Sequence, residues 1–292
     1  MRYGIVDHNN TIRPIVLAMN ALGHSPVNDD PEIILIDHDS PEYYRNIIKH
    51  YPDAKVILYP HGEPYMFAWD GIWPVNPRTD LYLSSNEGAA EIMKRYGYEK
   101  TIRVIGWFRG QQKKWSPPEQ LERVLFAPIH PLNSGYLNKF HKQANIKAYK
   151  ALLNMPIKLI VRHIGNIPSN GLWPVDGVEF ISGKMDGSIT AADLVVSNIG
   201  TYLTVSVAQG TPVVAFGQDY AILDGYSDDT LRFSQHWDEY REFLRYPYDV
   251  ENGYQALLEA SENEAVEWRD KFIGDQFTVE KLGEALKCLN IY

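Results

Sequence analysis

The residues with the clearest chemical potential stand in one run, AADLVVSNIGTYLTVSVAQGTPVVAFGQD, residues 191–219. Leu194 to Val196 and Val213 to Phe216 read as short buried strands with a helix between them. Ser197, Asn198, Gly200 and Thr201 then occupy the turn where the first strand hands over to the helix. Free N–H groups and the positive end of the helix dipole collect at such a turn, which suits a phosphate or pyrophosphate. Gly200 allows close backbone approach to an anion, and Ser197 and Thr201 bring hydroxyl donors. An ordinary strand–helix–strand connection with a capped helix fits the same residues. The rest of the chain has to discriminate.

Other strand ends carry candidates of their own. His61, before Gly62, ends the third strand in ILYPHGEPYMFAWDGIWP and has the character of a general base. The long loop after it holds Tyr65, Phe67, Trp69 and Trp73, whose faces suit sugars or flat ligands and equally suit packing beneath the loop. His130 follows the strand VLFAP, and Arg162 and His163 follow KLIV. With the helix start at Gly200 they compose a cationic, hydrogen-bonding rim suited to a diphosphate. Asp37 and Asp39 have the D-x-D spacing that can hold a divalent cation. The simpler role there is capping, with Asp39 or Ser40 as N-cap and Pro41 at the first helical position.

Composition narrows the class. The chain has 292 residues, 45% hydrophobic and 22% charged, an ordinary globular balance with room for one large or two medium domains. The net charge of −9 argues against a general nucleic-acid binder. Arg109, Lys113 and Lys114 with Trp115 form the best local basic patch, and a solvated loop accounts for it. No apolar run approaches the length of a membrane span, and the N-terminal stretch is too short in apolar residues for a secretory signal. The single cysteine, Cys288, excludes an internal disulfide and a cysteine-rich metal site, reads as a packing residue, and fits a cytoplasmic setting.

Two α/β halves are expected to position these groups. In the first, strands fall at Arg2 to Val6, Ile33 to Ile36, Val56 to Tyr59, Leu81 to Leu83 and Ile102 to Ile105. Helices fall at Ile12 to Leu22, Pro41 to His50 and Glu87 to Tyr96. Residues 110–120, with Pro117 and Pro118, read as a linker. Alternation then restarts with strands at Val124 to Ala127, Ile157 to Val161 and Val178 to Ile181, and a helix over Lys139 to Leu153. The expected division is a Rossmann-like domain over 1–115, a second over 120–262, and closing helices over 263–292 packing across both. Short continuous apolar strands are those of a parallel sheet covered on both faces. Two such domains facing a cleft would bind ligand at the carboxyl ends of their strands.

Several chemistries lack their signatures. There is no G-x-G-x-x-G after the first strand, no G-x-x-x-x-G-K-[ST], no G-x-S-x-G and no H-E-x-x-H. The order of motifs that is present is PHG, TDLYLSSNEGAAEIM, IRVIGWFRG, VLFAPIHP, KLIVRHIG, then ADLVVSNIGT and GTPVVAFGQD. Over roughly residues 55–220 this order resembles the GT-B superfamily, and within it is most similar to the CDP-glycerol glycerophosphotransferase-like branch. The chain has SNIGT where that branch has TDYSS, and APIH where it has APTW.

The resemblance implies a glycosyltransferase that moves a sugar from a nucleotide-diphosphate donor to an acceptor hydroxyl without a metal or other cofactor. It implies His61 as base and Ser197, Asn198, Gly200 and Thr201 as the diphosphate grip. His130, Arg162, His163 and Asp219 would line the donor side, and Tyr65, Trp69 and Trp73 the acceptor side. The acceptor would be a glycan, a polyol polymer or modified DNA. Three rival readings stand beside it: CDP-polyol phosphotransfer, UDP-sugar 2-epimerisation, and a non-catalytic nucleotide-sugar binding module.

Overall fold

Apolar runs of four or five residues become strands whose side chains alternate between two covered faces. The structure, a computed structural model, describes residues 1–6, 12–37, 49–59, 79–95, 98–107, 113, 118–127, 148–162, 178–181, 189, 191–197, 201–215 and 273–290. The chain divides into one unit of Met1–Phe108 with Asp270–Tyr292, and a second of Arg109–Arg269. In the first unit lie β1 (Arg2–Val6), β2 (Ser25–Pro26), β3 (Ile33–Ile36), β4 (Lys55–Leu58), β5 (Thr79–Ser84) and β6 (Thr101–Val104). They pair in the order β2-β1-β3-β4-β5-β6, parallel throughout. In the second lie β7 (Arg123–Ala127), β8 (Lys158–Arg162), β9 (Glu179–Ile181), β10 (Leu194–Ser197) and β11 (Val213–Ala215). Their order is β11-β10-β7-β8-β9, again parallel.

The alternation is visible residue by residue in the first sheet. Ile33, Leu35, Ile57, Leu81 and Leu83 point into one core with Ile15, Ala18 and Met19 of α1 (Arg13–Ala21). Ile34, Ile36, Val56, Leu58 and Tyr82 point into the opposite one, closed by Tyr98. Each fully buried aliphatic side chain of this kind contributes about 1.5–3 kcal/mol. In the second unit Val124, Phe126, Val161, Leu194 and Val196 share a core with Tyr149 and Leu152. The described part of the helix expected over 139–153 is residues 148–153, and that of the helix expected over 41–50 is residues 49–50.

The C-terminal segment joins the first core. Thr278 caps α4 (Val279–Leu286) by accepting from the Lys281 N–H at 3.2 Å, and Leu282, Ala285 and Leu286 pack beside α1. Phe277, just before the cap, packs against the same core. Cys288 is half-buried against the same core, its Sγ 2.9 Å from the Ala285 carbonyl. Where the chain leaves this unit it is clamped to its own return. Trp107 N–H donates to the Asp275 carbonyl at 2.7 Å, and the Trp107 carbonyl accepts from Phe277 N–H at 2.9 Å. It also accepts from Gln276 Nε2 at 2.6 Å. Gly106 makes this approach possible: its φ is +95°, and a Cβ there would lie 2.7 Å from the Gln276 backbone.

Carboxylates bind the amino ends of the strands. Glu32 accepts from Arg2 N–H at 2.6 Å, and Asp80 from Val56 N–H at 2.9 Å. Asp193 accepts from both Glu122 and Arg123 N–H groups, at 3.0 and 2.7 Å. Within each sheet these carboxylates satisfy backbone donors at the amino edge.

Two stability outcomes follow from these contacts. Gly106→Ala should lose about 2 kcal/mol or more by denaturant unfolding, because positive φ and a backbone clash act together; a change below about 0.5 kcal/mol would contradict the clamp. Asp193→Ala should lose about 1–3 kcal/mol, since two N–H groups lose one acceptor. Wild-type stability in that variant would mean water replaces the carboxylate without loss.

Candidate functional site

The second sheet reverses direction at β7. Successive strands β7, β8 and β9 advance one way, whereas β10 and β11 lie on the other side of β7. A crevice opens beyond the carboxyl ends of adjacent strands whose connections diverge like this. Ser197 and Ala127 are register partners at those two ends. The Ser197 hydroxyl, 1% exposed, donates to the Ala127 carbonyl at 2.6 Å. Ser197 is the last residue of β10, so the strand runs one residue further than the sequence suggests. Its hydroxyl proton joins the two strands, leaving the oxygen lone pairs as acceptors.

The helix that follows, α3 (Thr201–Ala208), buries Tyr202, Val205, Ser206, Val207 and Ala208. Ser206 satisfies its buried hydroxyl by donating back to the Tyr202 carbonyl, the usual resort of a serine inside a helix. The far end of α3 is fully closed. Thr211 N–H donates to the Ser206 carbonyl at 2.9 Å and Gly210 N–H to Val207 at 3.0 Å. Gly210 has φ +73° and Pro212 follows, the Schellman arrangement written in the sequence as QGTP. The Ala208 carbonyl also accepts from Lys113 N–H at 2.8 Å, so this described member of the basic patch lies at the C-terminal end of α3. The opposite end, at Thr201, carries the first-turn N–H groups that have no partner within the helix.

Arg162 ends β8 and is half-buried. Its guanidinium carbon lies 4.8 Å from the centroid of the Tyr202 ring, within cation–π range. Tyr202 belongs to the first turn of α3 and is 7% exposed. Two sequence candidates, Arg162 and the helix start at Thr201, are thereby brought to one end of one sheet. The residue that links them, Tyr202, was not singled out in the sequence, because an aromatic inside an apolar helix looks like core.

The carboxyl edge of the first sheet has a different character. Asp37 follows β3 directly and is fully buried. Ser84, Ser85 and Asn86 form a buried polar cluster at the end of β5, ahead of α2 (Glu87–Arg95). Asn86 Oδ1 accepts from Ala89 N–H at 2.7 Å, Ser84 donates to the Asn86 carbonyl at 2.8 Å, and Asn86 Nδ2 donates to Ser85 at 2.8 Å. Gly274 packs over the Asn86 side chain. This helix start is closed by its own side chains. The tetrapeptide Ser85-Asn86-Glu87-Gly88 has the same S-N-x-G pattern as Ser197 to Gly200, a signal legible in the sequence that reading the halves separately passes over.

His61, Tyr65, Trp69, Trp73, His130, His163, Asn198, Gly200 and Asp219 lie outside the described residues, as do Asp39 and the side chain of Thr201. Among the described residues no group of three or more His, Cys, Asp or Glu side chains could hold a metal ion, and no helix is long and apolar enough to cross a membrane.

The sequence matches no protein-family model and no curated protein. Solved structures do match. One is a protein assigned as a UDP-N-acetylglucosamine 2-epimerase from Listeria monocytogenes, with TM-score 0.59, 12% identity, and coverage of 99% of this chain and 96% of that one. A second is the kitacinnamycin glycosyltransferase, with TM-score 0.57, 12% identity, and coverage of 99% and 98%. A third is the spinosyn rhamnosyltransferase SpnG complexed with thymidine diphosphate, with TM-score 0.57, 12% identity, and coverage of 98% and 100%. At such identities the likeness is one of fold. The chain has the GT-B architecture, built from two parallel-sheet α/β domains.

Proposed function

We propose that the chain is a metal-independent glycosyltransferase whose second unit holds a nucleotide-diphosphate sugar. The observation that carries this reading is the meeting of Arg162 with the first turn of α3 at the carboxyl edge of the second sheet. A fixed cation and a helix N-terminus at a topological switch point suit a diphosphate leaving group. The fold it shares with nucleotide-sugar transferases, one of them solved with thymidine diphosphate, supports the same reading.

In this proposal Asn198, Gly200 and Thr201 grip the diphosphate, with His130, Arg162 and His163 along the donor side; Ser197, expected from the sequence to donate to it, instead spends its hydroxyl proton on the Ala127 carbonyl and braces the strand end. Asp219 accepts from a ribose or sugar hydroxyl. His61 takes the proton of the acceptor hydroxyl while that oxygen bonds to the anomeric carbon. The bond from that carbon to the diphosphate oxygen breaks, and the helix dipole and Arg162 stabilise the charge on the departing nucleoside diphosphate. Tyr65, Trp69 and Trp73 supply apolar faces for an acceptor such as a glycan, a polyol polymer or modified DNA. A second reading, UDP-sugar 2-epimerisation, draws support from the epimerase of the same fold.

A thermal-shift series with UDP-, GDP-, CDP-, ADP- and dTDP-linked sugars and CDP-glycerol tests the donor site. A true donor at 100 times its Kd should add about 2.7 kcal/mol of stability. Silence towards all of them would end the proposal, and a response to CDP-glycerol alone would replace sugar transfer with polyol-phosphate transfer. Conversion of UDP-N-acetylglucosamine without an acceptor would favour the epimerase, and binding without turnover a non-catalytic module.

Two further outcomes are expected once a donor is known. His61→Ala should lower kcat about 100-fold or more with donor Kd within twofold of wild type; unchanged kcat removes His61 from the chemistry. EDTA should leave turnover intact, whereas its abolition would bring Asp37 and Asp39 back as metal ligands.

A further inference from the structure

We infer that Tyr202 is a positioning residue that holds the Arg162 guanidinium beside the start of α3, an inference that rests on the donor site proposed above. Strands β8 and β10 are separated by β7, so no backbone ladder connects the end of β8 with the helix that follows β10. The cation–π contact between Arg162 and Tyr202 makes that connection through side chains. Tyr202 is suited to the task because its ring is almost fully buried and its carbonyl is tied to Ser206 one turn later. The ring cannot swing away without opening the core.

Arginine at a strand end has many rotamers and loses considerable entropy when immobilised on a ligand. A guanidinium already held against a fixed ring has less freedom to lose when an anion arrives. Lysine cannot replace it, since a point charge on a flexible stem has no plane to stack. Phenylalanine keeps the ring face on which the contact rests.

The test is calorimetric titration of the full-length protein with UDP, GDP, CDP, ADP and dTDP, following whichever binds most tightly to wild type. Arg162→Gln should weaken binding about tenfold or more. Tyr202→Phe should stay within twofold of wild type, and Tyr202→Leu should weaken binding roughly 3- to 10-fold. In the double variant Arg162→Gln/Tyr202→Leu, affinity should equal that of Arg162→Gln alone, a coupling that a purely structural tyrosine would not produce. Multiplying effects, or a Tyr202→Leu protein that binds as wild type, would overturn the inference and leave the donor site standing. If Tyr202→Leu does not fold, Arg162→Lys decides: it should lose at least about fivefold, and an affinity equal to wild type would overturn the stack. Binding of none of the five nucleotides by wild type, or wild-type binding by Arg162→Gln, would overturn the donor site and this inference together.

Discussion

Parallel pairing in both sheets forces every strand to end at one edge and every connection to travel back to the other. That constraint shapes the rest of the molecule. The returning segments must lie over the sheet faces, so the strands are apolar on both sides and Ile33–Ile36 is buried along its whole length. The carboxyl edge gathers all the turns from strand to helix, and with them the helix N-termini. In the second unit the strand order reverses between β7 and β10, and the Ser197–Ala127 hydrogen bond joins the ends of those two strands.

Charge is divided between the two edges. Glu32, Asp80 and Asp193 accept backbone N–H groups at the amino ends of strands, where a parallel sheet leaves donors to be satisfied. Among the described residues, the carboxyl edge of the second sheet carries an arginine in cation–π contact and the start of a buried helix. An acidic chain can therefore still present a locally positive site, because net charge says little about where individual carboxylates are used. In the first unit Asn86 closes a helix start with its own side chain, and in the second the Tyr202 ring in the first turn of α3 lies beside Arg162.

Much of the fold was legible because burial leaves a direct mark on residue type. Arg2–Val6 and Ile33–Ile36 emerge as strands with the bounds read from the sequence, and QGTP marks the end of α3 by chemistry only glycine and proline provide. What escaped reading was set by tertiary contact. The edge strand Ser25–Pro26 is two residues long and has no apolar pattern to betray it. Ser197 looked like a turn residue because its type is polar, yet register with Ala127 extends the strand through it. Tyr202 looked like core, and it is core, but the partner on its face comes from a strand 40 positions away in sequence (202 − 162). The coupling of Trp107 to Gln276 is longer still, and no pattern of residue types marks it.

The central claim is that the carboxyl edge of the second sheet holds the diphosphate of a sugar donor. The most direct measurement is a crystal structure of the protein with a nucleoside diphosphate that stabilises it against heat. The account predicts the diphosphate at the first turn of α3 beyond Ser197, with its oxygens in hydrogen-bond reach of Arg162 and the guanidinium still seated on Tyr202. A diphosphate bound at the carboxyl edge of the first sheet, near Asp37 and Ser84 to Asn86, would contradict it.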